Sequence, residues 1–293
     1  MTRLRADLLL LLVAIIWGLG FVFQKTAMDA IGPMTFIAAR SFVSALALVP
    51  LALRESRTHP EPISHEFLHI AALGSAALFG GEALQQFGLV TATVTNAGFL
   101  TALYVVFVPF IAWALTRTPP ATVVLPAAAL SFVGTWLLGG GDLSTLSTGD
   151  RLIAAGAVLW AVHVVVTGNA ANYDRPVLFT CLQFWLVTLV SVAWAGATEP
   201  VSWTALQSVW QEIMFVGLLS GSLMFTLMVI AMRHAPPAEA AIILSTENLF
   251  AALGGAVFLG ERLSFINWVG AGFIIVATLG VQLAPTWKLP RAH

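Results

Sequence analysis

The chain repeats itself at one offset of 143 residues, without a gap, and both copies are apolar enough for a membrane. Asp7 falls on Asp150, Trp17 on Trp160, Pro33 on Pro176 and Phe36 on Phe179. Farther along, Gly74 falls on Gly217, Leu84 on Leu227, Ala97 on Ala240 and Phe107 on Phe250. Alanine and leucine matches are cheap in such a chain; Trp, Pro and Asp matches in one register are not. An internal period of this kind constrains the architecture before any local propensity does. In a membrane protein it points to a transporter whose site lies between the repeats.

Composition supports the membrane reading. The 293 residues are 59% hydrophobic and 9% charged, with a mean hydropathy of +0.91, whereas soluble domains carry about 25% charged residues. A net charge of −1 supplies no field for nucleic acid. Cys181 is the single cysteine, which excludes an internal disulfide and a thiolate metal cluster. Arg3, Arg5 and the apolar run behind them imitate a signal peptide. The run from Ala6 to Thr26 is long enough to span, and it has a repeat partner around Trp160. It is therefore read as the first helix.

Apolar runs between Pro, Gly and charge clusters predict ten helices: 6–26, 34–53, 67–88, 93–116, 119–138, 150–170, 177–196, 208–232, 237–258 and 265–284. The Thr-rich segment Leu89 to Thr95 divides the third from the fourth. With the N-terminus inside, Arg3, Arg5, Arg54, Arg57, Arg117, Arg175, Arg233, Lys288 and Arg291 fall on the inner side. Only Lys25, Arg151 and Arg262 fall outside, and Arg40 lies within a span. The cation bias places both termini in the cytoplasm. Five helices is an odd number, so the second half enters from the opposite side. The expected fold is all-α and integral to the membrane, a 5+5 inverted repeat. Residues 1–143 would hold helices 1–5 and residues 144–293 helices 6–10, as one transmembrane unit.

Three stretches resemble the EamA family of the drug/metabolite transporter superfamily. Ile15-Ile16-Trp17-Gly18-Leu19-Gly20-Phe21 is similar to its first-helix opening, and Leu103-Tyr104-Val105-Val106-Phe107-Val108-Pro109 to its fourth helix. Glu247-Asn248-Leu249-Phe250-Ala251-Ala252-Leu253 with Gly260-Glu261-Arg262-Leu263 is similar to its ninth helix, with Asn248 where proline is usual. The resemblance covers nearly the whole chain. It implies ten helices, a 5+5 inverted repeat, and export or exchange of small metabolites. One branch, the YddG-like exporters, handles amino acids, aromatic ones included.

Polar groups inside the membrane are costly and usually face a partner or a wet cavity. Trp17 and Trp160 sit halfway along repeat-related helices. Helical spacing puts Gly20 and Gln24 on the Trp17 face, and His163 and Thr167 on the Trp160 face. These are either two walls of a central cavity or packing residues with satisfied polar neighbours. Arg40 and Glu82 lie at equal depth on helices 2 and 3, which suits an ion pair. That pair is a structural bridge, an outer gate, or a place where Arg40 meets a substrate carboxylate. Gln85 and Gln86 extend the Glu82 face. Glu247 is matched by Tyr104, and either binds a substrate amine, carries a proton or bonds to a neighbour. Lys25 is expected to snorkel to the interface.

One motif competes. His65-Glu66-Phe67-Leu68-His69 has the His-Glu-x-x-His spacing that places two imidazoles on one helix face for zinc, with Glu66 as base. It lies at the mouth of helix 3 beside Pro60-Glu61-Pro62, and the repeat does not reproduce it. No Asp-Gly element offers a third ligand. An intramembrane zinc hydrolase is the different-class alternative and is set aside. There is no Walker A loop and no Gly-x-Ser-x-Gly elbow, and Gly139-Gly140-Gly141 reads as a turn.

The expected function is a secondary exporter of small organic metabolites by alternating access in the bacterial inner membrane, amino acids first and aromatic ones included. Other drug, metabolite or nucleotide-sugar carriers share the fold. The expected partners are a small-molecule substrate and the lipid bilayer, with no nucleic acid, metal or cofactor, and a monomeric chain. Glu247, Glu82 and His163 are the groups through which a proton would couple. Gly18, Gly20, Pro33, Pro176, Pro50 and Pro109 are the expected bending points.

Overall fold

The computed structural model describes residues 1–138 and 146–283. The expected turn at Gly139-Gly140-Gly141, and Lys288 and Arg291 of the cation count, lie outside the described residues. Among the described residues nine helices are long and apolar enough to cross a membrane: α1 (Arg3–Ala27), α2 (Pro33–Thr58), α3 (His65–Leu89), α4 (Val94–Thr116), α6 (Thr148–Tyr173), α7 (Pro176–Thr198), α8 (Trp210–Met232), α9 (Pro237–Leu259) and α10 (Phe265–Leu283). A shorter apolar helix, α5 (Val124–Leu138), completes the ten. It starts later than the expected 119. Pro119 and Pro120 lack amide donors, and the residue before a proline avoids helical backbone. Its 15 residues span about 22 Å, less than the roughly 30 Å hydrocarbon core.

Helix ends follow local chemistry. Pro33 and Pro176 occupy the first positions of α2 and α7, where a missing N–H costs nothing. They are starts, not bends. The Thr93 hydroxyl caps α4, accepting from Asn96 N at 3.1 Å, and so divides α3 from α4 in the Thr-rich segment. Ser147 and Asp150 form a reciprocal capping box at the start of α6.

The helix ends also prove the inversion. Glu199, at the end of α7, accepts from Met34 N (2.9 Å) and Thr35 N (2.8 Å) at the start of α2. Glu55, near the end of α2, accepts from Val177 N (3.1 Å) and Leu178 N (2.8 Å) at the start of α7. Repeat-equivalent helices therefore run antiparallel, each capping the other. The pair α5 and α10 does the same: Asn267, near the start of α10, donates to Leu138 O at the end of α5 (2.6 Å). An in-plane pseudo-two-fold relates the halves, as five helices per half requires.

Two helices are broken, at repeat-related places. α4 divides into Val94–Thr101 and Tyr104–Thr116, and α9 into Pro237–Leu244 and Glu247–Leu259. The breaks fall on Ala102-Leu103 and Ser245-Thr246, 143 apart. Neither contains Gly or Pro, so the expected bending points missed them. The backbone tightens instead: Val105 N donates to Ala102 O at 3.1 Å and Leu249 N to Thr246 O at 3.1 Å. In α9 the hydroxyls of Ser245 and Thr246 donate to Ile242 O (2.8 Å) and Ile243 O (2.7 Å), satisfying carbonyls in a medium without water. Asn248, where proline is usual, instead donates to Thr135 on α5 at 2.9 Å. A third irregularity has no counterpart. Phe215–Leu223 of α8 is π-helical, while the equivalent stretch of α3 is regular.

Candidate functional site

The breaks, the π stretch and the middle of α1, α2, α3 and α6 converge on one cavity. α1 contributes Trp17, Phe21 and Gln24, a single stripe at helical spacing. Ten of the fifteen wall residues form five couples at offset 143: Trp17 with Trp160, Phe21 with Val164, Glu82 with Phe225, Gln85 with Met228, and Tyr104 with Glu247. The cavity thus straddles the pseudo-two-fold axis, where transporter sites built from repeats are found.

The scaffold is symmetric and the chemistry is not. The first repeat supplies a polar wall. Arg40 Nη2 stands 3.2 Å from Glu82 Oε2, as the equal depths of the two residues suggested. Gln85 donates to Gln24 Oε1 at 3.0 Å and accepts from Thr101 at 3.3 Å. The second repeat sets apolar groups opposite. Phe225 occupies the place of Glu82 and contacts Trp17, with ring centroids 4.7 Å apart, His163 at 5.6 Å and Phe184 at 5.4 Å. Trp17 is fixed by its own hydrogen bond, Nε1 to Ser220 O at 2.9 Å, which the π stretch presents. Gly20 lies beside that contact, where a Cβ would touch the Ser220 hydroxyl at an ordinary 3.4 Å.

Eight of the ten candidate residues line this cavity: Trp17, Gln24, Arg40, Glu82, Tyr104, Trp160, His163 and Glu247. Gly20 and Gln86 do not. Gln86 is wholly buried and donates to Gln24 O at 3.2 Å, tying α3 to α1 behind the wall. Phe225, Ser220 and Met228 were missed; the offset that pairs Phe225 with Glu82 was the signal for it. Lys25 sits at the outer end of α1, partly exposed. Its ammonium reaches the Leu89 carbonyl at 2.8 Å.

Among the described residues, several buried polar atoms on the wall lack a well-formed hydrogen bond: Arg40 Nε, Tyr104 Oη, Trp160 Nε1, His163 Nδ1 and Glu247 Oε1. The Tyr104 hydroxyl faces the Glu247 carboxyl, and Gln183 holds the other imidazole nitrogen of His163 at 3.2 Å. Buried polar groups are normally satisfied, so these atoms mark where a polar solute or water would bond. The cavity measures about 40 Å³, enough for a few waters and too small for an amino acid. A solute of that size requires the helices to part. His65, Glu66 and His69 are exposed at the mouth of α3, and among the described residues no third ligand joins them.

Ten apolar helices in two inverted halves around a buried polar cavity define a multi-pass membrane transporter fold. The chain belongs to the EamA-like transporter family, which matches residues 4–140 and 147–283, one match in each half. A protein named as an uncharacterized transporter of Archaeoglobus fulgidus is 28% identical over 96% of this chain and 87% of its own length. The uncharacterized transporter YwfM of Bacillus subtilis is 22% identical over 95% of this chain and 94% of its own. The threonine/homoserine exporter RhtA of Escherichia coli is 29% identical over 59% of this chain and 62% of its own. A solved crystal structure shares the fold with a TM-score of 0.78 at 17% identity, covering 96% of this chain and 98% of that one.

Proposed function

We propose that this protein is a secondary exporter of small zwitterionic solutes, amino acids first, working by alternating access in a bacterial inner membrane. The supporting observation is the pairing of unlike chemistries on one cavity wall. Arg40 offers its Nε to a carboxylate, and Glu247, facing the Tyr104 hydroxyl, offers a carboxyl oxygen to an ammonium. Trp17, Trp160 and Phe225 face them with aromatic surface for a side chain. Export is the activity in the name of the RhtA relative. Among the described residues Arg40 is the one cation of the wall. A nucleotide sugar, whose phosphates call for several cationic groups, fits it less well.

In this reading residues 1–143 and 144–293 act as one unit around the cavity. The N-terminal face, which carries most of the Lys and Arg, is cytoplasmic. Uptake into proteoliposomes with a panel of amino acids, purines and cationic drugs tests it, at fixed and at imposed pH gradients. Saturable, trans-stimulated amino acid flux is the expected result. No amino acid flux under any gradient ends this reading, and unsaturable conduction makes the protein a channel.

A further inference from the structure

The two ends of the cavity are built from the same helices at offset 143, yet one end is sealed and the other hollow. At the end away from the N-terminus, Lys25 of α1 donates to Leu89 O (2.8 Å) and Val90 O (3.3 Å) at the end of α3. Glu261, just past α9, accepts from Val94 N (2.8 Å), Thr95 N (3.0 Å) and the Thr95 hydroxyl at the start of α4. The equivalent positions at the other end are Gly168 for Lys25, Thr118 for Glu261 and Pro237 for Val94. Threonine has no charge and proline has no N–H to be held; Gly168 reaches across nothing but lets α6 pack on the start of α9, where a Cβ would lie 2.5 Å from Pro237 Cγ. All three residues line a vestibule of about 490 Å³. Along α8, Met228 lines the central cavity and Met232 the vestibule, so about one helical turn separates them.

The helix crossings show the same asymmetry. α1 crosses α9 at Gly18, where a Cβ would collide with the Glu247 carbonyl, Phe250 Cβ and Ala251 N. α4 crosses α9 at Gly98, where a Cβ would lie 2.6 Å from that of Ala251. Their equivalents are Ala161 and Ala241, both wholly buried, each carrying a methyl group where the other crossing has none. Backbone contact needs small residues at a helix interface, and only the sealed end has glycine at both.

We infer that the protein rests closed at the end away from its N-terminus and open toward the N-terminal face. Lys25 and Glu261 are the outer gate, and Gly18 and Gly98 are the close contacts that hold it shut. The inference rests on alternating access but on no particular solute. Opening the gate frees the Leu89 and Val90 carbonyls and the Val94 and Thr95 amides. In an inverted repeat the vestibule then closes as the outer end opens.

Side-specific thiol labelling in sealed vesicles tests this without any solute. In a Cys181→Ser background, Ala112→Cys reports the vestibule, and Ala92→Cys reports the seal itself, where Ala92 is 2% exposed between the Leu89 and Val94 ends of α3 and α4. A charged, impermeant methanethiosulfonate should modify Ala112→Cys from the N-terminal face at least about tenfold faster than Ala92→Cys from the other. Glu261→Gln or Lys25→Met should then raise the Ala92→Cys rate and lower the Ala112→Cys rate together. Gly98→Ala should act in the same direction, and Ala161→Gly should likewise slow vestibule labelling while raising the Ala92→Cys rate; these two serve if the charge variants do not fold. Equal parent rates, or gate variants that change neither rate, would overturn the inference. A rise at Ala92→Cys without a fall at Ala112→Cys would also overturn it, because the two ends would then be uncoupled. Failure of the amino acid reading shows instead as absent flux with the labelling pattern intact.

Discussion

Tyr104 and Glu247 are repeat equivalents, each the first residue after the break in its helix, and their side chains face each other across the pseudo-two-fold axis. The symmetry brings the two positions together; the difference in residue makes the site chemical. One half supplies a hydroxyl and the other a carboxyl, and neither Tyr104 Oη nor Glu247 Oε1 is held by any other group among the described residues.

Glu247→Gln should therefore weaken transport of zwitterionic amino acids more than that of analogues lacking the amine. A hydrogen bond to a charged group is worth about 1.5–3 kcal/mol, so KM should rise about tenfold or more for the amino acid. Proteoliposome uptake of matched amino and deamino compounds measures it. An equal loss for both would assign Glu247 a structural role.

Arg40 and Glu82 are both buried, at 6% and 1% exposure. Removing one partner of such a pair leaves an uncompensated charge and costs about 3–5 kcal/mol. Arg40→Gln should lower the melting temperature in detergent. The exchange Arg40→Glu with Glu82→Arg should recover stability without recovering flux, since the donors facing the cavity have moved. Recovery of both would reduce the pair to a bridge between α2 and α3.

Trp17→Ala and Trp160→Ala should each reduce flux severalfold while expression stays near that of the parent, because each removes aromatic wall area. Trp17→Phe should show part of the loss, as it keeps the ring surface and drops the bond to Ser220 O. If neither alanine variant transports less, these residues only pack helices.

The reciprocal caps between α2 and α7 predict a stability effect away from the cavity. Glu55→Gln and Glu199→Gln should each destabilise by about 1 kcal/mol, read as a lowered melting temperature. Glu199 should matter more, because it also accepts from the Thr35 hydroxyl.

Much of this was legible in the chain. Period 143, apolar runs and turn residues are local or additive features, and they located the helices to within a few residues. The odd number of helices per half then dictated inversion. Arg40 and Glu82 were matched by depth because rise per residue is constant along a helix. Depth does not set azimuth, however, and Gln86 faces α1 while Gln85 faces the cavity. The bond from Lys25 to the Leu89 carbonyl was not legible, because nothing in the neighbourhood of Lys25 announces it. The breaks at Ala102 and Ser245 carry no Gly or Pro; the π stretch of α8 carries Ser220-Gly221-Ser222 where α3 has Ala77-Leu78-Phe79, a mark that was there to read.

The sequence by itself thus determined the membrane class, the two inverted halves and the couples that meet on the axis, since each follows from periodicity and hydropathy alone. Only the tertiary structure decided which polar atoms remain without partners, where the helices break and which end is closed. Those depend on distances between segments far apart in the chain. One methyl group, present at Ala161 and absent at Gly18, sets how closely two helices can approach.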